Sequence, residues 1–258
     1  MNILFTICGR AGSKGIKNKN LIDFLGYPLS VYTVSAIDLY KKRNTNICCD
    51  VVLNTDSKAL IHLFKNQLDF ELEIIEREAS LGKDNTPKVA VIKNCLKIMK
   101  EKKNTGYDIV VDLDITSPLR KVEDVNNLIN KKLESDADVV FSVTDSRRNP
   151  YFNMVKLTEN GYKRVISTNL NARQEAPEIY DMNASLYAYS PTFLESGKGI
   201  FEGKCEVIKM MDTAVLDLDH KVDLEYMKII AKYLYEKHLE FREVRDNIKS
   251  IYWDRKIQ

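Results

Sequence analysis

The stretch Ile3-Leu4-Phe5-Thr6-Ile7-Cys8-Gly9-Arg10-Ala11-Gly12-Ser13-Lys14-Gly15-Ile16-Lys17-Asn18-Lys19-Asn20 decides how the rest of the chain is read. Its apolar head, 3–7, has the length and composition of a buried parallel strand and is too short to cross a membrane. The strand runs into a loop with glycines at 9, 12 and 15 and cations at 10, 14, 17 and 19. Glycine lets the backbone take positive φ and come close to a ligand, and converging N–H groups beside positive side chains make an anion nest. A strand ending in such a loop predicts phosphate chemistry. A solvated basic turn is the plain alternative, but it gains nothing from clustering three glycines with four cations.

Two common phosphate motifs are excluded. A Walker A loop needs G-x-x-x-x-G-K-[ST], whereas Lys14 follows Ser13 and precedes Gly15. The dinucleotide fingerprint G-x-G-x-x-G is absent too, because the glycines are spaced by three and no acidic residue closes a second strand about 20 positions on.

Composition narrows the class. The 258 residues are 44% apolar and 29% charged, which suits a globular chain with one sizeable core or one domain carrying an insertion. Lys+Arg 39 against Asp+Glu 37 leaves a net charge of +2, too small for general nucleic-acid binding, so any basic site is local. The five cysteines are odd in number and lack C-x-x-C or Cys/His ligand spacing, which predicts reduced thiols and a cytoplasmic protein. With no basic segment before the first apolar run and no run of 18 apolar residues, neither a signal peptide nor a membrane span is expected.

Onward from the loop, helical spacing over 29–40 predicts a crossover helix, and 49–53 a second strand closed by Asn54-Thr55-Asp56-Ser57, with Thr55 or Asp56 capping a helix near 58. A third strand is predicted over 71–76. A helix over 88–100 follows, with Thr86 as N-cap and Pro87 at its first position. The run 107–114 reads as a fourth strand, and Asp112 and Asp114 near its carboxyl end would lie by a ligand or cap the turn into a helix over 122–134. After a strand at 138–143 the character changes: Asn160-Gly161 between 154–157 and 162–166 signals a hairpin within an insertion spanning about 146–180. Alone, a two-stranded hairpin is marginal, so it needs a surface to pack on. The chain returns to the sheet at 180–189. Near the end, Asp217 and Asp219 are two apart and share one face of an extended strand, which suits a hard divalent cation such as Mg²⁺; the plain reading has Asp219 capping the helix over 222–237 and Asp223 facing its dipole. Residues 240–258 read as a polar helical tail.

Arg10-Ala11-Gly12-Ser13-Lys14-Gly15 followed by Lys19-Asn20-Leu21 resembles the signature loop of the CMP-sugar synthetases, the acylneuraminate cytidylyltransferase family, in the pattern R-x-G-S-K-G-x-x-x-K-N. Further matches keep the family's order: Asp114-Ile115-Thr116-Ser117-Pro118-Leu119-Arg120 to Q-P-T-S-P-L-R, Arg173-Gln174-Glu175-Ala176-Pro177 to R-Q-x-x-P, Asn183-Ala184 to N-G, and Asp217, Asp219 and Asp223 to D-x-D-x-x-x-D. Asp114, Ile115 and Ala184 depart from the Gln, Pro and Gly common there. The resemblance covers about 3–235.

It implies an α/β fold, a three-layer Rossmann-like nucleotidyltransferase with a mostly parallel sheet and an inserted dimerisation arm, making 1–258 a single cytidylyltransferase domain and the protein a homodimer. The implied reaction joins a nine-carbon 2-keto acid sugar to CTP, giving a CMP-sugar and pyrophosphate. By the same resemblance Arg10, Gly12, Ser13, Lys14, Lys19, Asn20, Arg77, Asp84 and Thr86 would bind CTP, and Arg10, Lys14 and Asp217 would be catalytic. Asp114, Arg173, Gln174 and Asn183 would hold the sugar, and Asp217 with Asp219 would hold Mg²⁺. The segments 147–153 and 180–183 look more like the legionaminate-type branch than the sialate one, which typically places Lys close to position 152. A sialate synthetase and a noncatalytic nucleotide-binding protein of the same fold stay open; a keto-deoxyoctulosonate enzyme fits the Arg173 and Asn183 segments poorly.

Overall fold

A computed structural model describes residues 1–12, 15–83, 85–169, 173–213, 218 and 220–253, with the backbone alone for Arg173. In chain order the elements are β1 (Asn2–Gly9), β2 (Asp23–Phe24), β3 (Tyr27–Pro28), α1 (Leu29–Arg43), β4 (Cys48–Thr55), α2 (Lys58–Asn66), β5 (Glu73–Glu76) and α3 (Lys88–Lys103). There follow β6 (Ile109–Leu113), α4 (Val122–Glu134), β7 (Val139–Asp145), β8 (Val155–Thr158), β9 (Gly161–Arg164), β10 (Tyr180–Tyr189), α5 (Pro191–Ser196), β11 (Cys205–Lys209), α6 (Lys221–Lys237) and α7 (Leu239–Ile251).

Seven strands form one sheet in the order β11-β7-β10-β6-β1-β4-β5. All neighbours pair in parallel except β10, which runs antiparallel to both β6 and β7. The mostly parallel α/β architecture expected from the sequence is therefore present. From β1 the chain moves outward through β4 to β5, then returns to place β6 on the other side of β1. The strand order thus reverses direction beside β1, and open α/β sheets bind ligands outside the carboxyl ends of the strands at such a reversal.

Alternation along the strands divides the core. Ile3, Phe5 and Ile7 face α1, α4, α6 and α7, while Leu4 and Val110 face α3 and α5. Helix α1 is buried along 29–40 because α7 covers its outer side: Ser35 Oγ donates to the Val244 carbonyl at 2.6 Å, and Asn247 Nδ2 donates to Asp38 at 2.8 Å. The segment read as a polar helical tail is a helix as expected, but an amphipathic one, with Phe241, Val244, Ile248 and Ile251 buried.

Helix starts differ from the expected caps. Ser57, not Thr55 or Asp56, caps α2 by accepting from Leu60 N at 3.3 Å, since Thr55 Oγ1 accepts from Ser57 N instead. Helix α3 opens at Lys88 as read, but its N-cap is Pro87 rather than Thr86, whose Oγ1 donates to the Ser80 carbonyl instead. The hairpin forms β8 and β9 about Glu159-Asn160, with Gly161 at φ +85. Its Val155, Leu157 and Tyr162 are 62, 71 and 75% exposed on the single chain.

Candidate active site

The loop after β1 is pinned at both ends. Ala11 N donates to Asp56 Oδ1 at 2.7 Å, so the aspartate read as a cap ties the loop to the end of β4, and Asn20 Nδ2 donates to the Arg10 carbonyl at 3.2 Å. Gly9 lies where these strands converge: a Cβ there would stand 2.8 Å from Asn20 Nδ2 and 2.9 Å from both Ile115 and Leu60 side chains. Arg77 is held over the end of β4, its Nε donating to Asn54 Oδ1 at 2.7 Å and Nη2 to the Asn54 carbonyl at 3.0 Å.

Together these groups wall a cleft of about 380 Å³ at the carboxyl ends of β1, β4 and β6. Of the residues expected there, Arg10, Lys19, Asn20, Arg77, Thr86 and Asp114 line it. Gly12 is not among its lining, and a Cβ at that position would meet open space. Ser13, Lys14, Asp84, Asp217 and Asp219 lie outside the described residues, as does the side chain of Arg173. Gln174 is exposed and Asn183 accepts from Ser142 Oγ at 2.5 Å; neither lines the cleft.

Sequence reasoning passed over Lys83 and Lys88, which also line the cleft. Asp112 and Asp114, two apart on and just beyond β6, point to the α3 face, and Lys88 at the start of α3 reaches down between them, its Nζ 2.7 Å from Asp112 Oδ2 and 2.7 Å from Asp114 Oδ2. Thr6 Oγ1, opposite on β1, donates to Asp112 Oδ1 at 2.8 Å, and Thr116 donates to Asp114 Oδ1 through both N and Oγ1. Burial alone would push the Asp114 carboxyl up, but the Lys88 ammonium and the Thr116 bonds outweigh it and hold the group at about 2. Burial would likewise pull Lys88 down, and Asp112 with Asp114 instead keeps it well above the ordinary lysine value. Arg120, fully buried beneath, donates through Nη2 to the Asp114 and Ser117 carbonyls and so fixes the turn after β6; burial draws its guanidinium down to about 10.

A second cavity of about 720 Å³ adjoins, walled by Pro87, Ala184, Tyr187, Tyr189, Ile200 and Phe201, and Lys88 and Asp114 line this one as well. The Tyr187 and Tyr189 rings stack at 6.0 Å. Ala184 takes φ +50 where β10 changes register, a conformation glycine adopts freely and alanine does not. The pair of cavities thus offers a basic cleft suited to polyphosphate and an aromatic-walled pocket on the antiparallel strand, with Lys88 and Asp114 in the walls of both.

A profile of the family described as Cytidylyltransferase matches residues 4–254. The chain belongs to that family. It is a CTP-dependent nucleotidyltransferase, and the match runs on through α7, beyond the 3–235 that the sequence motifs span. The cytidylyltransferase is 30% identical over 229 residues to a CMP-N,N'-diacetyllegionaminic acid synthase of Campylobacter jejuni, spanning 88% of this chain and 94% of the relative. It is 29% identical to Post-translational flagellin modification protein B of Campylobacter coli, over 93% of this chain and 98% of that protein. A pseudaminic acid cytidylyltransferase of Campylobacter jejuni is 28% identical over 92% of this chain and 99% of that one. Among solved structures, a CMP:2-keto-3-deoxy-manno-octonic acid synthetase complexed with CTP shares the fold, with a TM-score of 0.62 over 90% of this chain and 99% of that one at 15% identity.

Proposed function

We propose that the enzyme couples CTP to a nine-carbon 2-keto acid sugar, releasing pyrophosphate, and that N,N'-diacetyllegionaminic acid is the sugar. The observation that carries this reading is that the basic cleft and the aromatic-walled cavity lie side by side and share Lys88 and Asp114 in their walls. In the reaction the sugar's anomeric oxygen bonds to the α-phosphorus of CTP as the bond to the β-phosphate oxygen breaks. Arg10, Lys19 and Arg77, with Ser13 and Lys14 from the loop, would hold the triphosphate and stabilise charge on the departing pyrophosphate; Gly12, Asn20, Asp84 and Thr86 would complete the CTP site. Catalysis of this kind is positioning and electrostatics. Asp114, Arg173, Gln174 and Asn183 would hold the sugar, the arginine pairing with its carboxylate.

Asp217 and Asp219 would hold Mg²⁺, which when bound neutralises charge on the phosphates. Among the described residues no cluster of three or more acidic, His or Cys side chains is placed to bind a metal, and the Asp112 and Asp114 carboxylates are already engaged by Lys88. The exposed apolar side chains of the β8–β9 hairpin support a homodimer built on that arm. A CTP-consuming reaction fits the cytoplasm, and no described helix is long and apolar enough to cross a membrane.

The choice of sugar rests on the 30% identical relative and on the aromatic, apolar wall of Tyr187, Ile200 and Phe201, which suits the methyl that legionaminic acid carries at C9 in place of the hydroxyl of sialic acid. Pyrophosphate release from CTP with legionaminic, pseudaminic and sialic acids in parallel tests it. Turnover of legionaminic acid should dominate; sialic acid running far ahead would overturn the sugar assignment, and no release with any of them would overturn the reaction. Asp217→Ala should abolish release and the Mg²⁺ dependence of CTP binding together.

A further inference from the structure

Lys88 occupies a costly position. It opens α3, where the positive end of the helix dipole disfavours a cation, and the first turn contains no acidic residue to offset it. What holds it there is tertiary: Asp112 Oδ2 and Asp114 Oδ2, each 2.7 Å from Nζ. An ammonium has three N–H donors. One is donated to Asp114 Oδ2, and Asp112 Oδ2 is held by charge without a hydrogen bond, which leaves donor capacity for the adjoining space, to which the side chain is 33% exposed. Among the described residues, Lys88 and Asp114 alone line both cavities. With Arg120 buried below, the group Asp112, Asp114, Lys88 and Arg120 carries no net charge, so an anion arriving there is not repelled by the aspartates as a pair.

The geometry points to Lys88 as a further substrate-binding residue of the transfer: its ammonium, fixed between Asp112 and Asp114, takes an anionic oxygen of a bound substrate where the two cavities meet. This rests on the reading of the site as one for CTP and an acid sugar. Both carry such an oxygen, a nonbridging α-phosphoryl oxygen on one and the carboxylate on the other, and the bond formed is the same N⁺–H···O⁻ hydrogen bond.

The test compares Lys88→Met, Asp112→Asn and the double variant. Asp112 is fully buried, accepts from Thr6 and lines neither cavity. Lys88→Met should lower both the melting temperature and kcat/KM, because it leaves the cluster with one uncompensated negative charge beside the buried Asp112. The double variant should recover the melting temperature yet stay about 30-fold or more below Asp112→Asn in kcat/KM, the loss of one charge-assisted hydrogen bond. A raised KM or dissociation constant confined to CTP assigns the α-phosphoryl oxygen, and one confined to the sugar assigns the carboxylate; either sustains the proposal. Recovery of kcat/KM to the Asp112→Asn level, with both affinities unchanged, reduces Lys88 to a neutralising group and overturns it. If the Met variants do not fold, Lys88→Arg decides, since it keeps the charge between the carboxylates but replaces a point donor with a planar fork; a loss of about 10-fold or more is expected, and wild-type kinetics overturn the proposal. Calorimetric titration with CTP and with the acid sugar keeps the two readings apart: a parent protein that binds both and turns over neither defeats the transfer reading alone.

Discussion

Acid titration of Asp114 gives a direct measure of the charge cluster below the cleft. The folded carboxyl sits at about 2 against an ordinary 3.8, so its pairing contributes stability that is complete above pH 3.8 and is lost as pH falls toward 2. The shift of nearly two pH units corresponds to about 2 kcal/mol in total, of which roughly 1 kcal/mol is gone at pH 3. The perturbation is Asp114→Asn, compared with the parent chain in urea unfolding followed by circular dichroism at several pH values from 6 down to 3. Other carboxylates with lowered values, Glu73 beside Lys102 and Asp136 beside Lys204, titrate in both proteins and cancel in the difference. The parent should be the more stable at pH 6, and its advantage should shrink by about 1 kcal/mol by pH 3. A difference that stays level over that range would mean Asp114 is not held by Lys88 in solution, and the assignment of the cluster would go with it.

Three further outcomes follow from particular contacts. Gly9→Ala places a Cβ within 2.9 Å of three side chains, an overpacking of about 1–3 kcal/mol that should lower Tm by roughly 2–12 °C by calorimetry and weaken CTP binding by displacing Asn20 from the Arg10 carbonyl. Ala184→Gly should instead raise Tm by about 2–4 °C, because relief of the left-handed φ exceeds the added chain entropy; an unchanged or lower Tm would show that Ala184 is not strained. Leu157→Glu on the hairpin should reduce the light-scattering mass from twice the 29.7 kDa chain to one chain, and a parent already monomeric would remove the dimer proposal.

Local pattern carried most of the fold. The first strand, its glycine loop, the helix Val122–Glu134 and the Asn-Gly hairpin are each specified by neighbours in sequence, through apolar runs, helical spacing and turn chemistry. Helix α7 also carried a signal, since Phe241, Val244, Ile248 and Ile251 recur at helical spacing, but the many charges between them masked it. Capping residues were misplaced by one or two positions because Thr55, Asp56 and Ser57 can all accept a backbone hydrogen bond, and only the path of the chain selects among them. The site was legible where its residues sit in one loop. Lys88 was not: as a sequence position it is an ordinary helical lysine, and its partners are 24 and 26 residues away on a strand that α3 crosses.

That distance explains how the site can differ from its relatives at several positions and still hold an anion. Aspartate at 114, where the resembling sequences carry glutamine, adds a negative charge at the mouth of a polyphosphate cleft. Lys88 offsets it locally and the buried Arg120 offsets a second negative charge, so the four groups together add no net charge at the cleft. The field in the cleft is then left to Arg10, Lys19, Arg77 and Lys83, all lining it. Reversing one member alone breaks that balance. Asp114→Gln should therefore fail to reproduce a glutamine-bearing relative unless Lys88 is changed with it, and a double-mutant cycle on the two positions should show a coupling of about 1–3 kcal/mol in transition-state binding. Additive effects would mean that the two residues serve the cavities independently and that the departure at 114 needs another cause.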